Sequence, residues 1–128
     1  MSQLHSIYTQ LNRIKFRLKK TANRLWKIKL ALVESYQTGF EERDFLPRRL
    51  LKLKEEQQLK FEKLTHQLNL MIVSCFHKNF IIFNSAEEVE TFLKIRKTVQ
   101  YMKNAFTSEP FLIQTLDRLN KVLSVQKI

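Results

Sequence analysis

Cys75 and His77 form a C-x-H pair, the first place in the chain to look for chemistry. A bound metal needs three or four ligands, and the other histidines, His5 and His66, are distant in sequence. Residues two apart on a helix do not face each other, and no third group stands by to orient a Cys–His nucleophile pair. Cys75 falls on an apolar stripe, where a free cysteine behaves as a small hydrophobe. A single cysteine excludes an intrachain disulfide framework and a multi-cysteine zinc site. Glycine occurs once and proline twice, too few for a dinucleotide-binding turn, a phosphate loop or an all-β fold. The expectation is a chain with no catalytic residues, no metal site and no cofactor.

A second pattern carries more. Arg13, Arg17, Lys20, Arg24 and Lys27 step by 4, 3, 4 and 3 residues. On a helix these positions share an arc of about 80° and run about 21 Å along the axis. Like charges at such steps repel by roughly 0.2–0.5 kcal/mol per pair, and residues 1–33 hold eight basic residues and no acid to offset them. Two outcomes follow. Carboxylates from elsewhere in the fold (Glu55, Glu56, Glu62, Glu87, Glu88 and Glu90) neutralise the ridge, or an external polyanion does. A phosphate backbone presents charge at close intervals that such a ridge can follow. Lys29, with Arg48, Arg49 and Lys52 at the start of the next helix, would join it into one patch if the two helices form an antiparallel hairpin; Lys15 and Lys19 would widen it.

The charge is uneven along the whole chain. Of the formal +11, residues 1–38 hold eight bases and one acid, while residues 39–84 and 85–128 are each only +2. No zinc-finger spacing, short three-helix turn motif or RNA-recognition aromatic signature is present, so sequence-nonspecific backbone contact with DNA or RNA is expected. Phe16 and Trp26 interleave with the bases. They would stack on unpaired bases if exposed; packing inside the fold is the expectation for Trp26.

The elements that must position these residues are helical. Leu4, Ile7, Leu11, Ile14, Leu18, Leu25, Ile28 and Leu32 recur at steps of 3 and 4, interrupted only by Thr21, and predict a helix over about 2–36 with a coiled-coil-like seam. Gly39 suits a left-handed cap just beyond it. Trp26, Leu30, Ala31 and Val33 make its C-terminal half apolar on more than one side, which predicts deep burial there. Asp44 is a plausible N-cap for a second helix reaching about residue 77, with Pro47 in its first turn. Leu46, Leu50, Leu53, Leu64, Leu68, Met71 and Cys75 form its stripe, which weakens at Gln57, where Phe61 fills in. Ser85 and Glu88 make a capping box for a third helix over about 86–106. A fourth covers about 109–125, capped by Thr107 or Ser108, with Leu112, Leu116, Leu119 and Leu123 inward.

These lengths predict an all-α fold in one domain of 1–128: a long antiparallel helical hairpin packed by two shorter helices, resembling a four-helix bundle. Phe76, Phe80, Ile81 and Phe83 sit in the densest apolar cluster, which serves as core or, if partly covered, as a surface for a protein partner or self-association. Residues 1–7 hold no compact apolar run and no small-residue cleavage site follows, so a secretory signal is not expected there. Residues 1–33 share their lack of acids with transit peptides, but the long heptad pattern suits permanent packing. The longest apolar stretch, residues 68–83, is interrupted at His77, Lys78 and Asn79 and falls short of the ~20 residues a membrane span needs. The expectation is a soluble intracellular protein, cytoplasmic or nucleoid-associated. Its function would be that of a non-catalytic nucleic-acid-binding accessory protein, probing backbone through the first helix and working with a protein partner. The alternative is an adaptor or inhibitor whose basic face docks on an acidic or nucleic-acid-binding protein. A lipid-surface role fits less well, because the ridge lacks a broad apolar side.

Overall fold

The computed structural model describes the backbone of residues 3–41, 44–76 and 83–126, and side chains over 4–41, 44–73 and 83–126. Four α-helices account for nearly all of it: α1 (Gln3–Gln37), α2 (Phe45–Phe76), α3 (Ala86–Ala105) and α4 (Pro110–Ser124). The fold is all-α, with helices packed against one another as in a bundle.

Local chemistry sets the helix ends. Gly39 has φ of +98°, a backbone region that side chains with a Cβ resist. There its N–H reaches Tyr36 O at 3.2 Å, and Phe40 N–H reaches Ser35 O at 3.0 Å. These two bonds form a Schellman cap that satisfies the last carbonyls of α1. At the start of α2, Asp44 O accepts from Arg48 N–H at 3.1 Å, which makes Asp44 the N-cap. Its carboxylate cannot cap the third helical position, because Pro47 stands there without an N–H. Asp44 Oδ2 instead accepts from Glu41 N–H at 2.7 Å and ties down the link. Ser85 caps α3 by accepting from Glu88 N–H at 3.2 Å, while Glu88 reaches back to Asn84 N–H at 3.0 Å. Only α4 departs from expectation. Its N-cap is Glu109, with no side-chain bond, so neither Thr107 nor Ser108 serves; Pro110 opens the helix, where a missing N–H costs little.

The chain divides into two compact units, Met1–Lys15 with Thr65–Ile128, and Phe16–Leu64. In the first, Leu4, Ile7, Leu11 and Ile14 of α1 and Leu68, Met71 and Ile72 of α2 are buried together with the inward faces of α3 and α4. Phe92, Ile95, Val99 and Met102 on α3 and Leu112, Leu116, Leu119 and Leu123 on α4 are wholly enclosed. Arg118 donates to Asn69 Oδ1 at 3.0 Å, linking α4 to α2.

The second unit is a helical hairpin made of the C-terminal part of α1 and the N-terminal part of α2. Its buried residues are Leu18, Thr21, Leu25, Leu32 and Ser35 on α1 and Gln57, Phe61 and Leu64 on α2. Two expectations are corrected here. Leu46 is exposed, and Leu50 and Leu53 are only half-buried, so the α2 seam is shallow near the turn. The C-terminal half of α1 does not lie deep: Trp26 is 63 %, Leu30 42 % and Val33 52 % exposed, and Ala31 is half-buried. Its extra apolar side faces outward because the hairpin supplies only one partner helix to cover it.

Candidate nucleic-acid interface

Arg13, Arg17, Lys20, Arg24 and Lys27 lie on one uninterrupted helix, which preserves the 4, 3, 4, 3 spacing. All five side chains are exposed, as are those of Lys29, Arg48, Arg49 and Lys52. Arg13 belongs to the first compact unit and the other eight to the hairpin. The hairpin sequence, residues 16–64, holds thirteen basic and seven acidic residues.

The decisive geometric question is pairing. Among the described residues, none of these nine cations forms an ion pair. The six glutamates that the sequence offered as neutralisers are placed otherwise. Glu55, Glu56, Glu62, Glu87 and Glu90 are exposed, and Glu88 is engaged by the backbone of Asn84. The repulsion along α1 is therefore not relieved by these carboxylates.

Not every base of α1 is equally available. Lys15 places its ammonium 5.4 Å from the centre of the Tyr101 ring, a cation–π contact in the first unit. Lys52 and Lys29 lie about 10 and 12 Å along their helices from the α1–α2 link, so they are nearly level in the hairpin. Arg48, Lys52 and Arg49 spread over about 100° of the α2 surface at helical spacing, so the second cluster is a broad cap and not a continuation of the narrow α1 ridge.

Aromatic side chains stand beside the bases. Phe16 is 67 % exposed and follows the ridge between Arg13 and Lys20. Trp26, expected inside, is solvent-facing between Lys27 and Asn23. Sequence reasoning found the second apolar side at Trp26, Leu30 and Val33 but placed it inside the fold, whereas all three are exposed. The signal was present as a second 4-and-3 spacing parallel to the buried seam.

The proposed partner-docking cluster falls mostly outside the described residues. Phe80 and Ile81 are not described, nor is the side chain of Phe76. Phe83 is half-buried and meets Phe92 edge-on, with ring centres 5.2 Å apart and planes at 66°. The Cys75 side chain and His77 also lie outside. Among the described residues no three His, Cys, Asp or Glu side chains converge as metal ligands, and no helix is long and apolar enough to cross a membrane. The chain matches no protein-family model, no curated protein and no solved structure.

Proposed function

We propose that this chain is a non-catalytic accessory protein that binds nucleic acid by its phosphate backbone, through Arg13, Arg17, Lys20, Arg24 and Lys27 on α1. Lys29, Arg48, Arg49 and Lys52 extend the contact at the turn end of the hairpin. One observation carries it: the five ridge residues are exposed at regular spacing, and none is ion-paired among the described residues. A polyanion would remove the repulsion that the fold leaves in place, and counterion release would drive binding. Contact is with backbone and not base edges, so DNA and RNA of many sequences would bind. The protein would act inside a larger nucleoprotein assembly with a protein partner. The adaptor alternative gains from one specific feature, the exposed stripe of Trp26, Leu30 and Val33, since apolar patches beside charge mark protein docking sites.

The test is fluorescence anisotropy with labelled duplex and single-stranded oligonucleotides over a salt series. Five phosphate contacts on duplex DNA give a slope of log affinity against log salt of about −4.5. The combined variant Arg13→Glu, Arg17→Glu, Lys20→Glu and Arg24→Glu abolishes binding. Binding that is flat with salt, or intact in that variant, refutes the proposal. A co-purifying protein that survives nuclease treatment, without oligonucleotide binding, favours the adaptor.

A further inference from the structure

The charges of the hairpin divide between its two faces. The seam of α1 runs through Leu18, Thr21, Leu25, Leu32 and Ser35, and that of α2 through Gln57, Phe61 and Leu64, all buried. At 100° per residue, Arg17, Lys20, Arg24 and Lys27 lie about 50–140° from the α1 seam, against the direction in which the chain winds. Lys60 and Lys63 on α2 lie about 65–130° from their own seam in the same sense. The two helices run in opposite directions, so rotations of one sense away from facing seams bring both groups to the same side. All six side chains are exposed.

The two groups are also level. α1 ends at Gln37 and α2 begins at Phe45. Measured along the helices from that link, Lys20 and Arg24 stand about 26 and 20 Å away, Lys63 about 27 Å and Lys60 about 22 Å. Helices packed as a pair have axes about 8–10 Å apart, so long basic side chains reach over the seam from either bank.

On this side the helices carry two carboxylates, Glu56 on α2 and, nearer the turn, Glu34 on α1. Glu56 precedes Lys60 by four residues, a spacing at which the two could pair. Yet among the described residues neither they nor the other five cations are ion-paired. Glu55 and Glu62 turn to the opposite side, the side of Trp26, Leu30 and Val33.

We propose that the nucleic-acid site spans both helices of the hairpin. A phosphate backbone lies along the furrow over the seam, held by Arg17 and Arg24 from α1 and by Lys60 from α2, with Lys20, Lys27 and Lys63 on its outer edges. The inference rests on the reading of the α1 ridge as a nucleic-acid contact and adds α2 to it. Charge selects the occupant: six unpaired cations on one face call for a polyanion, and a chain of phosphates supplies charge along the whole furrow. An anionic bilayer takes up bases together with a broad apolar side, and here the apolar stripe points the other way.

The experiment is fluorescence anisotropy of the full chain with a labelled duplex oligonucleotide over a salt series. Lys60→Gln combined with Lys63→Gln weakens binding by about tenfold and lowers the salt slope by about 1.8, or about 0.9 for each contact. Glu55 and Glu56 supply a charge-matched pair, adjacent in sequence, exposed and on opposite faces. Glu56→Lys strengthens binding by about fivefold, whereas Glu55→Lys changes it by less than about twofold, because screening leaves little effect beyond about 8–10 Å. A gain of affinity cannot come from misfolding. If the combined Arg13, Arg17, Lys20 and Arg24 reversal abolishes binding but the α2 lysine variant binds like the parent, or if Glu55→Lys and Glu56→Lys act alike, the two-helix site is overturned and the α1 reading stands. If the parent binds no oligonucleotide, or binds only anionic vesicles, both fall.

Discussion

Lys103 Nζ lies 2.8 Å from Asp117 Oδ1, joining α3 to α4. The contact shows what a basic side chain does in this fold when a carboxylate is within reach, and among the described residues the five cations of the α1 ridge have no counterpart to it. Both partners are partly solvated, so the pair contributes only about 0.2–1 kcal/mol. Replacing Lys103 with Ala should lower the urea midpoint slightly in low salt, and the difference should shrink in 1 M salt, where screening acts within about 3 Å.

Gln57 sits in the hairpin seam at 8 % exposure, and its Oε1 has no hydrogen-bond partner. A buried acceptor left unpaired costs about 1–3 kcal/mol. Gln57→Leu removes that cost and adds apolar burial at similar volume. The expected outcome is a gain of about 1–2 kcal/mol in chemical denaturation, whereas Phe61→Ala in the same seam should lose about 3–5 kcal/mol.

Gly39 closes α1 at positive φ with nothing within 4 Å of where a Cβ would stand. Substitution there meets no steric neighbour, and the cost is backbone conformation alone. Gly39→Ala should destabilise by about 1–2 kcal/mol, and Gly39→Asn by less, because asparagine tolerates the left-handed region better. Equal losses in the two variants would mean that the cap is not what the glycine supplies.

Much of this fold was legible because its signals are local. The Ser85–Glu88 box, the Gly39 cap and the steps of 3 and 4 depend on residues within a turn of each other, and each recovered a helix end closely. Leu112, Leu116, Leu119 and Leu123 were readable as core for the same reason. The failures are non-local. Trp26, Leu30 and Val33 are apolar whatever covers them, and only the fold reveals that one partner helix is too few. Charge exposure along α1 was readable, since lysine and arginine are rarely buried. Whether those charges are paired was not, because it depends on where glutamates distant in sequence are delivered. Leu46 looked like seam by spacing, yet it lies beside the turn where the two helices have barely begun to cover each other.

The unpaired ridge implies a trade-off between stability and binding. Arg17 has like charges at Arg13 and Lys20, and Arg24 has them at Lys20 and Lys27, each three or four residues away on the same helix. Neutralising Arg17 or Arg24 to Gln relieves two repulsions in each case. Each variant should be more stable than the parent by about 0.4–1 kcal/mol in low salt. If they hold phosphates, the same variants should bind duplex DNA more weakly, with the salt slope reduced by about 0.9 for each contact removed. Denaturation and anisotropy on the same samples separate the cases. A ridge that merely decorates the surface gains stability and loses nothing, whereas a binding ridge gains stability at the expense of affinity.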